Sequence, residues 1–427
     1  MPTNPAPLSV DEALDRILRA IEPLPAAKVG LDRSLGLVSA VDVKANDHVP
    51  GFDNSAFDGY AVHAADLANA SADCPVTLNV IDEIPAGHIS PTPVHRGEAA
   101  RIMTGASIPA GADAIVPFED TDRRDWGQLG TSPRGTDSSN QSTVSVQTPV
   151  SPGENIRPAG GDILKGDLVI EAGTTIGAPT IGVLASVAVT NVSIHPRARV
   201  AIVPTGDEVV EIDADFRPGL VRNSNAWALE AASRAIGAAP KRQPIVGDSV
   251  EELRLALQSA SETDIVVTIG GVSMGDLDLV KHVLAGQGEM DFWQVNMRPG
   301  KPLAFGVVNG TPLIGLPGNP VSSMVGFMIF VRPALLRLMG HTDLLHPRIH
   351  AVAGENLYSS DGKRTYVRVT IERENDRLVC RSAGDQGSYR MSSLTEGKGL
   401  AVIYEGQAIS TGDPVEILVI DDTVHQL

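Results

Sequence analysis

Apolar residues recur at helical spacing at the start of the chain, where Leu14, Ile17, Leu18 and Ile21 follow Ser9-Val10-Asp11-Glu12 and stop at Pro23. Ser9 and Glu12 form a capping box, so the pattern predicts an amphipathic helix whose apolar stripe packs on another element or another subunit. From about residue 37 to 147 the period changes. Short β-like runs, 76–80 and 114–116 among them, alternate with Pro and Gly turns and read as a small β-rich domain. Within it, residues 121–142 are polar and aperiodic, as in a loop or hairpin tip.

Between residues 199 and 338 strand and helix patterns alternate, the signature of a parallel sheet with crossover helices. Strands are predicted at 200–203, 241–246, 264–269 and 313–316, most of them apolar or nearly so, as doubly covered strands are. Helices are predicted at 225–236, stopped by Gly237, at 249–259, opened by a second capping box (Ser249, Glu252), at 277–285 and at 321–338. After Pro347 short alternating runs return at 365–369, 378–380, 401–404 and 415–419, predicting a C-terminal β barrel or sandwich.

Composition narrows the function classes. A chain of 427 residues exceeds one hydrophobic core and implies several domains. A formal charge of −18 and 4% aromatics argue against nucleic acid as a partner. An anionic small molecule then binds only where Arg and Lys are concentrated locally or a divalent cation bridges it to carboxylates. Cys74 and Cys380 have no metal or disulfide spacing, and no signal segment or run of apolar residues long enough for a membrane span is evident. A reduced, cytoplasmic protein is expected.

Polar, glycine-rich text concentrates at the predicted strand ends, where loop amides and helix dipoles converge in open α/β sheets. It comprises Pro204-Thr205-Gly206-Asp207-Glu208, Gly247-Asp248, the run from Gly270 to Asp278, and Pro317-Gly318-Asn319-Pro320-Val321-Ser322-Ser323. Each one alone reads equally as a tight turn with a helix cap, whereas four at one sheet edge point to a ligand. Val272 breaks dinucleotide spacing and no Walker loop occurs. Asn319-Pro320 reads as an N-cap and N1 pair aiming the amides of Val321, Ser322 and Ser323 at an anion. Arg298-Pro299-Gly300-Lys301-Pro302 adds two cations between prolines, suited to oxyanion contacts. Three further segments, starting at Asp53, Arg101 and Asn155, are polar loops that periodicity does not connect to the sheet edge.

In this order, DNSAFDGYAV, RIMTGASIPAGADAIV, PTGDEVV, GGVSMGDLD, RPGKPLAFG and LPGNPVSS resemble the signature run of the molybdopterin molybdenumtransferases, the MoeA-type family related to the gephyrin E domain. The resemblance extends from about residue 8 to 418. It implies a multidomain α/β and β fold. An N-terminal helical and β domain would span 1–47 and 156–195, with a β-rich insertion at 48–155. A pterin-binding α/β domain on a mostly parallel sheet would follow at 196–340, and a β barrel at 341–427. It also implies homodimers whose active cleft is shared between subunits, and a reaction in which molybdate enters an adenylylated pterin dithiolene and AMP leaves. Sulfur ligands then come from the dithiolene rather than from cysteines.

By motif match, Asp58, Thr104, Arg157, Asp162, Glu208, Asp248 and Asp278 fall on the family's active-cleft positions. Thr205, Gly206, Gly270, Gly271, Ser273, Gly275, Pro317, Asn319 and Pro320 belong to its ligand-binding turns. Arg298, Lys301 and Ser323 fall on oxyanion-binding positions, with Arg364 or Arg368 and Ser388 as further candidates. So many acids beside an anionic substrate imply a bridging Mg²⁺ between the adenylate phosphates and acids drawn from Asp248, Asp276 and Asp278. Three positions depart from the family pattern: Gln294 and Arg298 stand where Lys is common, and Lys398 where Asn is usual. They tune molybdate affinity or mark a preference for tungstate. The competing readings are a molybdopterin adenylyltransferase, which resembles only the α/β domain, and a gephyrin-like scaffold.

Overall fold

The computed structural model describes residues 6–123, 143–271, 288–308 and 310–420. The chain divides into two compact units, one built from 1–41, 172–177 and 192–427, the other from 42–171 and 178–191.

The first unit opens with the helix Val10–Arg19, capped as predicted: the Glu12 amide donates to Ser9 Oγ at 3.1 Å. Its buried stripe is Val10, Ala13 and Ile17. The central sheet has six strands in the order Ala239–Arg242, Arg199–Pro204, Ile265–Ile269, Thr311–Leu316, Pro302–Val308 and Gly288–Gln294. The first four are mutually parallel. The last two add an antiparallel hairpin beyond the four predicted strands. The predicted edge strand 241–246 forms earlier, at Ala239–Arg242.

Period-2 alternation explains how both faces are covered. Val200, Ile202, Val267 and Ile314 pack with Leu229, Val325, Phe330 and Leu335 on one side. Ala201, Val203, Val266 and Leu313 pack with Leu253 and Leu257 on the other. The helix run Pro320–Leu338 is long and apolar enough to cross a membrane, yet 83% of it is buried as a core helix. It widens into a π turn at Phe327–Val331. Pro333 has no N–H to donate to the Ile329 carbonyl, so the regular ladder is interrupted there. The predicted helix at 277–285 lies outside the described residues.

The C-terminal segment closes into a five-stranded barrel. Arg364–Glu374 pairs with Arg377–Ser382, then in turn come Arg348–Ala353, Pro414–Val419 and Gly399–Ile403, which pairs back with Arg364–Glu374. Val369, Ile371, Cys380, Ile403 and Ile417 fill it. Closure leaves these strands no unpaired edge.

The second unit is a mixed five-stranded sheet in the order Ala114–Pro117, Gly59–Val62, Glu98–Ile102, Val76–Ile84 and Thr143–Val146. Tyr60, Val62, Leu78, Val116 and Val144 form its core. The polar segment at 121–142 is described only through residue 123.

Candidate active site

The three N-terminal motifs meet one another in the second unit. A two-residue antiparallel pairing sets Arg157 opposite Asn54 and Ile156 opposite Ser55. The Gly105 amide donates to the Ser55 carbonyl at 2.9 Å, and the Ala159 amide to Asp53 Oδ1 at 2.7 Å. Asp58 Oδ1 accepts both the amide and the hydroxyl of Thr104. Arg157 Nη2 donates to the Ala56 carbonyl at 3.3 Å, and the Asp162 amide to the Val49 carbonyl at 2.9 Å. Asp58, Thr104, Arg157 and Asp162 all present exposed side chains. The result is a polar surface built from three distant stretches of chain, with a carboxylate fixed by two donors at its centre.

In the first unit a cleft of about 1400 Å³ opens at the carboxyl ends of the parallel strands. Pro204-Thr205-Gly206, Ile269-Gly270-Gly271 and Pro317-Gly318-Asn319 form its floor. The Thr205 amide and hydroxyl both donate to the Ile269 carbonyl, at 2.9 and 3.1 Å, locking the two strand ends together. Gly270 lies at φ +89°, and a Cβ there would come within 2.9 Å of the Thr205 carbonyl oxygen, so only glycine fits that turn.

Glu208 and Asp248 line the cleft. The Asp248 amide donates to Asp207 Oδ1 and the Gly247 amide to Glu252 Oε2, both at 2.9 Å. The second capping box is therefore skewed, since Glu252 reaches past Ser249 to the turn before it.

Lys301 arrives through the unforeseen hairpin. The strand Pro302–Val308 runs antiparallel to Thr311–Leu316, so it begins where its neighbour ends, at the ligand edge. Gln294 pairs with Pro302 and also lines the cleft, as does Pro320.

Five predicted positions stand elsewhere. Arg298 is exposed on the two-residue strand Met297–Arg298 and does not line the cleft. Ser323 is fully buried on the core side of its helix, with no hydrogen-bond partner for its hydroxyl. Two of the three amides expected to face an anion are spent within the protein: Val321 N donates to the Ser388 carbonyl and Ser323 N to the Asn319 carbonyl. Ser388 thus acts through its backbone.

Arg364 is engaged bidentately by Asp11, at 2.6 and 2.8 Å, and also pairs with Glu405. The hydrogen bond from Arg364 holds the Asp11 carboxyl below its usual range. Arg368 is 1% exposed, and its guanidinium donates to Ser393 Oγ and the Gly387 carbonyl, at 3.0 and 3.1 Å. Period-2 alternation turns 364 and 368 to the same face of a barrel strand, which sequence cannot distinguish from a ligand-facing row. Ser273, Gly275, Asp276 and Asp278 lie outside the described residues.

The cleft also contains residues not foreseen, notably Arg16, Arg222, Asn223, Asn225 and Tyr389. Asn225 Nδ2 donates to the Gly318 carbonyl at 2.7 Å, while its buried Oδ1 has no partner. A signal for two of these was present: Asn223-Ser224-Asn225 opens the helix Ser224–Ala235 and is polar text before a predicted helix, like the other turns.

Residues 8–188 match the MoeA N-terminal region (domain I and II), 201–337 a probable molybdopterin binding domain, and 350–420 the MoeA C-terminal region (domain IV). The chain is 36% identical to molybdopterin molybdenumtransferase 2 of Mycobacterium tuberculosis, covering 91% of this chain and 93% of that one. It is 32% identical to the molybdopterin molybdenumtransferase of Bacillus subtilis, over 97% and 94%. Two crystal structures of the molybdopterin biosynthesis MoeA protein from Pyrococcus horikoshii superpose with TM-scores of 0.81 and 0.79 at 29% and 26% identity, each over 97% of this chain and at least 99% of the other. With fold, strand-end turns and whole-length similarity in agreement, this chain belongs to the molybdopterin molybdenumtransferase family.

Proposed function

We propose that this chain inserts molybdate into adenylylated molybdopterin, giving molybdenum cofactor and AMP, in the cytoplasm. The observation that carries the reading is the cleft itself, lined together by glycine turns from three strand ends and by Lys301. A ligand with anionic groups needs fixed donors of this kind. No cysteine occurs among the described cleft residues, in keeping with a substrate that brings its own sulfur ligands. A pterin adenylyltransferase would leave the Asp58 surface and the barrel without a role, and nothing in the cleft favours a scaffold.

The donor set suits a hard cation: Glu208 and Asp248 line the cleft with carboxylate oxygens of the type Mg²⁺ takes. We propose that its ligands are drawn from Asp248, Asp276 and Asp278, the last two of which lie outside the described residues. When bound, the ion would neutralise phosphate charge beside these acids. Lys301 orients the oxometalate, and the turns at Thr205-Gly206 and Gly270-Gly271 hold the substrate against the strand ends. We further propose that the chain acts as a homodimer in which Asp58, Thr104, Arg157 and Asp162 are presented to the cleft of the partner subunit.

The test supplies adenylylated molybdopterin, Mg²⁺ and molybdate and follows AMP release. Release that needs the oxyanion supports the reading, and replacing Lys301 by Gln raises the molybdate concentration at half-maximal rate on the order of tenfold. AMP release indifferent to molybdate, or none at all, sinks it. A tungstate arm reads the metal preference. AMP affinity measured in Mg²⁺ and in EDTA checks the cation, and equal values remove it. Mixing Asp58→Ala with Lys301→Gln subunits restores activity only if the cleft is shared.

A further inference from the structure

Two aromatic side chains line the described part of the cleft, Trp293 and Tyr389, and they are differently placed. The Trp293 ring has Phe305 at 5.7 Å and the Arg16 guanidinium at 5.8 Å from its centroid, and the residue is only 9% exposed. Its faces are engaged inside the protein. Tyr389 is 71% exposed at the cleft.

That exposure is not slack. The Tyr389 hydroxyl donates to Asp385 Oδ2 at 3.1 Å, and the ring lies over Gly387, where an added Cβ would stand 2.6 Å from Tyr389 Cε1. Gly387 is thereby the platform for one side of the ring.

The loop beneath is clamped from two directions. The guanidinium of buried Arg368 donates to the Gly387 carbonyl, its amide donates to Gln386 Oε1 at 2.9 Å, and its carbonyl accepts from Gln386 Nε2 at 3.1 Å. From the other side, the Val321 amide donates to the Ser388 carbonyl at 3.1 Å. A ring with its hydroxyl tethered, its edge against Gly387 and most of its surface exposed at a cleft is prepared for stacking.

From this we infer that Tyr389 stacks on a flat heteroaromatic ring of the substrate, making it a binding and specificity residue that the barrel contributes to the α/β cleft. The inference rests on the proposed reading that the substrate is a pterin joined to adenylate. Both the purine and the pterin are such rings, and the shared chemistry is a planar, polarisable face.

The experiment measures calorimetric affinity of the full-length protein for AMP, for 6-hydroxymethylpterin and for ribose 5-phosphate, in the parent, Tyr389→Phe and Tyr389→Ala. Thermal melting serves as the fold control. Loss of the ring in Tyr389→Ala weakens binding of AMP or of the pterin on the order of tenfold, Tyr389→Phe stays within about threefold, and ribose 5-phosphate is unaffected. The ligand that weakens names the ring. Tyr389→Ala binding both ring ligands as the parent does, or losing ribose 5-phosphate equally, overturns the inference. Molybdate-dependent AMP release by the parent is scored separately, so failure of the activity and failure of stacking are read from different measurements.

Discussion

Asp58 and Thr104, 46 residues apart, are joined twice: one carboxylate oxygen receives the Thr104 amide at 2.7 Å and its hydroxyl at 2.8 Å. Both side chains are exposed, so the pair contributes little to stability, about 1 kcal/mol. The arrangement instead fixes a carboxylate at a surface. Replacing Asp58 by Ala is expected to lower molybdate-dependent AMP release at least about tenfold while leaving the melting temperature within a few degrees. Steady-state kinetics beside a thermal melt checks this. A melting loss matching the activity loss would mark the pair as structural.

Arg222 shapes the wall that carries Glu208. Its Nη1 donates to the carbonyls of Glu211, Ile212 and Ala214, at 3.2, 2.5 and 3.0 Å, while the Val221 amide donates to the Glu208 carbonyl at 2.8 Å. If the cleft holds the substrate as proposed, Arg222→Ala reduces kcat/KM about tenfold, chiefly through KM, because the loop that lines it loses its shape. Lysine at the same position recovers part of the loss. Unchanged KM in the alanine variant would separate the loop from substrate binding.

Arg368 makes an opposite prediction from the one its sequence position suggests. Burial pulls its pKa below the ordinary arginine value, and its donors are spent on Ser393 and the loop carbonyls. Arg368→Leu leaves those acceptors buried and should cost about 2–4 kcal/mol of barrel stability. Chemical denaturation measures it. A selective rise in the KM for molybdate with unchanged stability would return Arg368 to the oxyanion site.

His346 supplies a pH dependence. Burial, with Arg332 adding to it, lowers its pKa from 6.5 to about 4. Nδ1–H donates to the Val419 carbonyl at 3.2 Å, and Nε2 is buried without a partner, so protonation would strand a donor there. The unfolded chain then binds the proton more readily than the folded one. Stability from this group is complete above about pH 6.5 and declines as pH falls toward 4. His346→Gln should flatten that slope in melts taken across the interval, and an unchanged slope would refute the assignment.

Local signals were the legible ones. Ser9 and Ser249 cap their helices because capping is decided within four residues, and the strand-end glycines betray turns that only glycine adopts. The hairpin Gly288–Gln294 with Pro302–Val308 is not legible in the sequence because the proline-bracketed turn between its strands has the text of a surface loop, and the pairing is set by the neighbouring strand Thr311–Leu316. Without it, nothing in the sequence explains why Lys301 stands at the ligand edge. Arg364 and Arg368 show the converse limit: an arginine committed to an internal carboxylate or carbonyl has the same one-letter text as one that awaits a ligand. Tyr389 was invisible for a similar reason, since its placement depends on Arg368 and Val321, far away in sequence.

The short parallel pairing of Met297 with Arg364 and Arg298 with Thr365 carries a last implication. The segment from 295 to 301 hangs from the α/β sheet at both of its ends, yet its middle is hydrogen-bonded to a barrel strand. Any strain on the barrel, from a core substitution or a docking protein, is thus delivered directly to the backbone that positions Lys301. The barrel strand Arg364–Glu374 is in this way a backbone support for one rim of the α/β cleft.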